Sequence, residues 1–595
     1  MMKRLELVSL LLAGCAGLTG DAAPESPNVI LIMTDDQGYG DLGVMGNPQI
    51  RTPFLDAMAA ESAWMTTFYV SPVCAPTRAS LMTGRYNYRT RAIDTYIGRA
   101  MMEPEEVTIA ELLRDAGWAT GIFGKWHLGD NYPLRPMDQG FEQALVHRGG
   151  GIGQPSDPPE GARKYTDAVL FENGRQVQTE GYCTDVYFDA AMEWLETTHD
   201  SGRPFFAYIA PNAPHGPFHD VPKELYREYL ETDLTNAAAP QLAGHPLPQS
   251  NNVDHRARIF AMITNIDSNV GRLLAHLDEL GLAENTLVLF MVDNGPNERR
   301  YVAGMRGNKS SVYEGGVRSP LFARWPARLA AGRRADNVAA HIDVLPTILD
   351  ACAVTAPEGL RIDGRSFLPH LEGSATDEED RTLVIQAHRG DAPVRYHNFL
   401  ARSQRWKLLN ASGFGRETPS QEPRFELYDM LADPLELHDV ADVHPEVVAQ
   451  LKHDYDRWFD DVGSTRERNY DPPRIHIGSE HEDPVVLTRQ DWRRAGQGNG
   501  WGSDALGYWE VQIARDGLYT VEMRFSGRDE PGVAELGVAG ESRRAELAPG
   551  AQNCTLEDIP LSRGPTRLQG RLTYNGKTVG PHQMDVHFQA ADTDP

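Results

Sequence analysis

Four apolar runs constrain this chain more than anything else in it. They are residues 29–33, 118–123, 205–210 and 286–292, each far too short for a membrane span and each followed by residues that carry charge or bind ions. None alternates apolar with polar, so each predicts a strand covered on both faces, as in a parallel or mixed sheet between helices. Helical patterns lie between them. Thr108 and Glu111 form a capping box ahead of Ile109, Leu112 and Leu113, with Gly117 as the stop. A longer stripe runs Ile259, Ile263, Ile266, Val270, Leu273, Leu277, Leu280, and Gly281 ends it. Alternating strands and helices predict a doubly wound α/β unit.

At 595 residues the chain exceeds what one core supports. We expect a catalytic-type α/β domain over 27–390 and a small α+β subdomain over 391–473, with strands at 398–401 and 406–409 and a helix carrying Leu451, Tyr455 and Trp458. Beyond Asp471-Pro472-Pro473, short alternating runs predict an appended β-sandwich over 474–595. Asp516-Gly517 reads there as a hairpin turn. Trp501, Trp509 and Tyr519 could make a sugar-binding face, with core packing the expectation for at least two of them.

A net charge of -27 argues against nucleic acid or an anionic membrane as the main partner. Residues 1–26 read as an export signal: Lys3 and Arg4, a short apolar run, then Leu12-Ala13-Gly14-Cys15. Small residues before a Cys resemble a bacterial lipobox, which implies lipidation of Cys15 and a periplasmic or outer-membrane lipoprotein; the alternative is ordinary cleavage near Ala23. Five cysteines are too few for a disulfide framework, and Cys183, Cys352 and Cys554 are expected as plain thiols.

The residues just beyond each apolar run carry the chemistry. The first run leads to Asp35-Asp36, the second to Lys125-Trp126-His127, the third to His215, the fourth to Asp293-Asn294. Ligands bind beyond the carboxyl ends of strands in open α/β sheets, so these residues should meet in one crevice. Asp35, Asp36, Asp293 and Asn294 offer only oxygen ligands, which favours Ca²⁺ or Mg²⁺ over Zn²⁺. Arg78, Lys125, His127, His215 and Lys309 suit an anion with several outer oxygens, a sulfate or phosphate. Cys74 opens a helix whose first turn holds Pro76 and whose end is Gly84; at that position a plain Cys is expected to be a low-pKa thiolate.

Cys74-Ala75-Pro76-Thr77-Arg78, with Leu81 and Thr83-Gly84 downstream, resembles the signature of the type I sulfatases of the alkaline phosphatase-like superfamily. Asp35-Asp36-Gln37-Gly38-Tyr39-Gly40-Asp41, Gly124-Lys125-Trp126-His127-Leu128-Gly129, Asn212-Ala213-Pro214-His215, Asp293-Asn294-Gly295 and Gly307-Asn308-Lys309 resemble further segments of that family. The likeness covers about 27–465. It implies that a maturing enzyme oxidises Cys74 to formylglycine (3-oxoalanine). It also implies that Cys74, so modified, joins Asp35, Asp36, Asp293 and Asn294 around one Ca²⁺, and that a gem-diol and a covalent sulfo-enzyme carry sulfate ester hydrolysis. Arg78, Lys125, His127, His215 and Lys309 are the catalytic set the resemblance implies. Export and a sandwich suggest a sulfated glycan as substrate. Segments 89–99 and 147–154, including Arg148, are candidate substrate loops. Two alternatives stand: a phosphatase or phosphodiesterase of the same superfamily, with His341-Ile342-Asp343 in a second metal site, and a glycan-binding lipoprotein without turnover.

Overall fold

The computed structural model describes residues 26–589 apart from 159, 161, 241–242, 376–379 and 497–499. Cys15 and the whole leader lie outside the described residues.

The molecule is organised on one large mixed sheet. Its strands are β1 (Asn28–Thr34), β2 (Ala63–Tyr69), β3 (Ala119–Lys125), β4 (Gln143–His147), β5 (Val169–Glu172), β6 (Arg175–Gln178), β7 (Phe205–Ala210), β8 (Thr286–Val292), β9 (Arg318–Ser319), β10 (Leu321–Arg324) and β11 (Arg334–Ala340). Their order is β11-β2-β10-β8-β1-β7-β3-β4-β5-β6, with β9 beside β2. The centre is parallel: β1 pairs with both β7 and β8, and β3 with both β7 and β4. β10 lies antiparallel between β8 and β2, and β5, β6 and β9 add antiparallel pairs towards the edges. The carboxyl ends of β8, β1, β7, β3, β4 and β2 therefore share one edge.

The apolar runs form strands for the reason their composition suggests. All seven residues of β1 are buried. Val29, Leu31 and Met33 belong to the core on one face, Ile30 and Ile32 to the core on the other. The helix Val253–Glu279 covers the second face with Ile266, Val270, Leu273 and Leu277. Its stripe ends where expected, with Gly281 at φ 69°. The Thr108 capping box is present, and the helix behind it is Ile109–Asp115. Some bounds differ from expectation: β1 is one residue longer at each end, and β3 starts at Ala119 and runs through Lys125, because its pairing with β4 continues to Lys125 opposite His147.

A smaller antiparallel sheet comes next, Leu383–Gln386, Phe399–Arg402, Trp406–Asn410 and Glu426–Asp429, packed on the helix Pro445–Gly463 through Leu451 and Tyr455. Residues 475–589 then form two facing antiparallel-rich sheets. Asp516-Gly517 is not a hairpin turn. Strand Gly507–Ile513 already has neighbours on both edges, Ile475–Ile477 and Gly564–Tyr574, so the chain crosses to the other sheet and pairs Gly517–Arg524 with strands 553–561 and 583–589. Trp509 and Tyr519 are fully buried in the core between these sheets.

Candidate active site

Strand register brings the acids together. In the β1–β8 pair Thr34 lies opposite Val292, so the next residues, Asp35 and Asp293, emerge side by side. Both are fully buried. The Asp36 backbone N–H donates to Asp293 Oδ1 at 3.2 Å, and the Asn294 amide donates to Asp36 Oδ1 at 2.8 Å. Asp36 itself has a positive φ of 63°, a tight reversal at the strand end.

The helix Cys74–Thr83 arrives from β2, and all ten of its residues are buried. Sulfur of Cys74 and oxygens of Asp35 and Asp293 lie within 4.8 Å of one another. Thr77 Oγ1 donates to the Asp293 carbonyl at 2.8 Å. Arg78, one turn in, donates Nη2 to Asp293 Oδ2 at 3.0 Å and Nη1 to the Lys125 carbonyl at 2.9 Å, tying the helix to two strand ends. Burial pushes the Cys74 thiol up, and nearby Lys125 and Lys309 only partly offset it. The unmodified residue is therefore a thiol, not the low-pKa thiolate expected of a helix start, because ten buried residues remove the solvation that the helix end alone cannot replace.

Four cations or potential cations face these acids. Lys125 Nζ donates to Asp35 Oδ2 at 2.5 Å, with both side chains fully buried. Lys309 Nζ donates to Asp36 Oδ1 and stands 3.8 Å from Cys74 Sγ. His215 Nε2 is 3.8 Å from Asp36 Oδ2, while its Nδ1 is 2.9 Å from the Gly216 carbonyl. His127 Nε2 is 2.9 Å from the Thr95 carbonyl. A carbonyl can only accept, so Nε2 carries the proton in neutral His127 and Nδ1 keeps a lone pair. That Nδ1 is buried without a partner.

Burial lowers His127 well below the usual histidine range, and Lys125 adds to this. His215 is lowered to about 4, chiefly by burial. Burial alone would raise Asp36, yet Lys309 and His215 hold it far below the carboxylate range. Asp293 goes the other way, up to about 7, through burial and the adjacent Asp35.

The donor set fits a hard cation. Asp35 Oδ1 and Asn294 Oδ1 are buried and unpartnered, and Asp293 is raised first by burial and then by the neighbouring Asp35. Carboxylate and amide oxygens converging in this way are the donors a hard divalent cation takes. Among the described residues no other His, Cys, Asp and Glu side chains cluster closely enough to hold a metal. The second metal site at His341-Ile342-Asp343 is not formed: Asp343 is taken up by Arg381 and by the backbone N–H groups of Ala340 and Arg365.

A cavity of about 470 Å³ opens above Cys74, lined by His127, His215 and Lys309 together with Thr95, Tyr96, Gly150, Gln154, Arg389, Phe414 and Trp501. Segments 89–99 and 147–154 do reach it. Arg148 does not line it; its guanidinium stacks 4.3 Å from the Phe171 ring and pairs with Glu482 at 3.3 Å. Thr95 and Tyr96 come from the first of these segments, whereas Arg389 and Phe414 carry no sequence signal, since loops far along the chain deliver them.

A mostly parallel sheet with acids, a buried lysine and a helix-borne Cys at its carboxyl edge defines an alkaline phosphatase-like hydrolase. A family model described as Sulfatase matches residues 27–354, and one described as N-sulphoglucosamine sulphohydrolase, C-terminal, matches 307–459. Human arylsulfatase A is 32% identical over 489 residues, 75% of this chain and 89% of that one. Dog N-acetylgalactosamine-6-sulfatase is 31% identical over 406 residues, 64% of this chain and 72% of that one. The crystal structure of Ps i-CgsB in complex with k-i-k-neocarrahexaose is 26% identical with a TM-score of 0.63, covering 76% of this chain and 94% of that one. This chain belongs to the sulfatase family and is a sulfuric ester hydrolase.

Proposed function

We propose that this enzyme removes sulfate from a sulfated carbohydrate, using Cys74 in its oxidised formylglycine form beside one Ca²⁺. The observation that carries the reading is the meeting of Cys74, Asp35 and Asp293 within 4.8 Å, with Cys74 lining a cavity of about 470 Å³. The relatives named for N-acetylgalactosamine 6-sulfate, and the structure solved with a carrageenan oligosaccharide, support a sugar substrate.

Asp35, Asp36, Asp293, Asn294 and the modified Cys74 would hold the cation. Bound there, Ca²⁺ supplies charge that polarises a sulfuryl oxygen and acidifies the attacking hydroxyl. As an aldehyde hydrate, residue 74 supplies one hydroxyl to attack sulfur and a second whose deprotonation releases sulfate and restores the aldehyde. The chain's own groups do the rest. Arg78 holds Asp293 and the end of β3 in register. Lys125 and Lys309 place positive charge around the sulfuryl oxygens, and His215, whose Nδ1 proton is used on the Gly216 carbonyl, would donate from Nε2 once protonated. His127 offers its unprotonated Nδ1 to take the proton of the second hydroxyl. Lys309, 3.8 Å from Cys74 Sγ, is placed to protonate the leaving alcohol.

Among the described residues no helix is long and apolar enough to cross a membrane. We take the enzyme as exported, periplasmic or anchored through Cys15.

The test is a peptide mass spectrum of protein made in a host able to mature sulfatases. Oxidation of the thiol to the aldehyde lowers the Cys74 peptide by about 18 Da. The matured protein is then assayed with Ca²⁺ on sulfated mono- and oligosaccharides, including 6-sulfated N-acetylgalactosamine and carrageenan fragments. Hydrolysis by protein whose Cys74 is still a thiol would end the formylglycine reading.

A further inference from the structure

The cavity has two unlike ends. One end, at Cys74, His215 and Lys309, is set by the residues that the family matches span. The other holds Trp501, and Trp501 belongs to the C-terminal sandwich, beyond residue 459 where both family matches have ended.

The sandwich is fixed to the catalytic domain at this wall. Ile97, Met101 and Leu134 of the catalytic domain are buried within the sandwich's own apolar core. The Gly98 N–H donates to the Gln490 carbonyl at 2.9 Å. A Cβ at Gly500, the residue before Trp501, would stand 2.5 Å from Ile97, so the chain there touches the catalytic domain directly. Gln490 Nε2 also donates to the Thr95 carbonyl at 3.3 Å, the same oxygen that orients His127.

Trp501 is half-buried and meets Tyr96 edge to face at 5.4 Å. Its indole N–H is used inward, on the Arg489 carbonyl at 3.2 Å. Its contribution to the cavity is aromatic surface. Arg389 lies beside this pair, its guanidinium 4.0 Å from the Tyr96 ring and 4.6 Å from Phe414. Its Nη1 is held by Asp94 at 2.6 Å and Thr95 at 3.1 Å. Among the described residues nothing takes its Nε and Nη2 protons.

An aromatic surface beside a braced donor pair suits a pyranose: the C–H face of the ring packs on the aromatic, and ring hydroxyls or a ring-borne anion accept from the guanidinium. We propose that Trp501 is a specificity-determining residue, by which the sandwich supplies the sugar-ring subsite of the active site. This rests on the sulfated-carbohydrate function proposed for the enzyme. The sandwich is then a part of the catalytic pocket, not a separate binding module.

The test compares wild type, Trp501→Ala and Trp501→Phe, all matured. The probe is whichever sulfated mono- or oligosaccharide wild type turns over fastest. Inorganic sulfate, as a product inhibitor, reports on the other end of the cavity. Trp501→Ala should lower kcat/KM for the sugar by about tenfold or more, while the inhibition constant for sulfate stays within about twofold. Trp501→Phe should recover most of the loss. A parallel fall in sugar turnover and sulfate affinity would mark Trp501 as merely structural and overturn the proposal. So would unchanged sugar turnover in an active enzyme. If wild type hydrolyses no sulfated sugar at all, the carbohydrate reading itself fails and this subsite falls with it.

Discussion

At Gly150 the site tolerates no side chain. A Cβ there would lie 2.5 Å from His127 Nε2, on a ring that cannot move without leaving the Thr95 carbonyl. If His127 is the proton acceptor proposed above, Gly150→Ala should lower kcat by about ten- to a hundredfold with little change in melting temperature, since displacing that group would cost rate and not fold. Steady-state kinetics beside a thermal melt checks this, and an equal drop in stability would count against it. The acids make a second expectation. A bound cation stabilises the folded chain by mass action, so EGTA should lower Tm and added Ca²⁺ restore it. In Asp293→Asn the melt should respond to neither. An unshifted wild-type Tm after chelation would remove the cation from the account. Many of these residues could be named in advance because each stands directly after a buried strand or opens a helix. Arg389 and Phe414 could not, because only the folded chain brings their loops to Cys74.

Among the elements, long apolar strands were the most legible. β7 and β8 have the bounds their apolar runs predict. β2, β4, β10 and β11 went unread, because they are short, partly exposed or mixed in composition, and their pairing partners lie far along the chain. The Asp-Gly turn failed for a related reason. It is a local signal, and a strand whose two edges are already occupied cannot use it. One contact between helices yields a pH prediction. Asp267, within Val253–Glu279, accepts the Leu55 N–H at 2.7 Å and so satisfies the start of the helix Pro53–Ala60. Burial raises Asp267 from 3.8 to about 7. Between these values the folded chain keeps a proton that the unfolded chain has released. Stability therefore falls as pH rises from about 4 to about 7, by an amount on the order of 2–4 kcal/mol, and stays lower above that. Asp267→Asn cannot titrate. Its Tm relative to wild type should be higher at pH 8 than at pH 5, and a difference that does not change with pH would refute the assignment.

For the molecule as a whole, the sandwich is a structural partner of the catalytic domain as well as a wall of its pocket. Ending the chain at 473 would uncover Ile97, Met101 and Leu134, now all nearly inaccessible. Exposing buried side chains of this size costs about 1.5–3 kcal/mol each. The shortened protein should melt well below the full chain and self-associate on size exclusion. A monomer with the full chain's Tm would show that the two parts are independent. The burial of the Cys74 helix has a consequence in time. Synthesis runs from the N-terminus, so Cys74 exists long before Asp293, Lys309 or Trp501 can close over it. The interval between its appearance and the completion of the sheet would be the time for the proposed maturation of its sulfur, and slower folding would lengthen that interval.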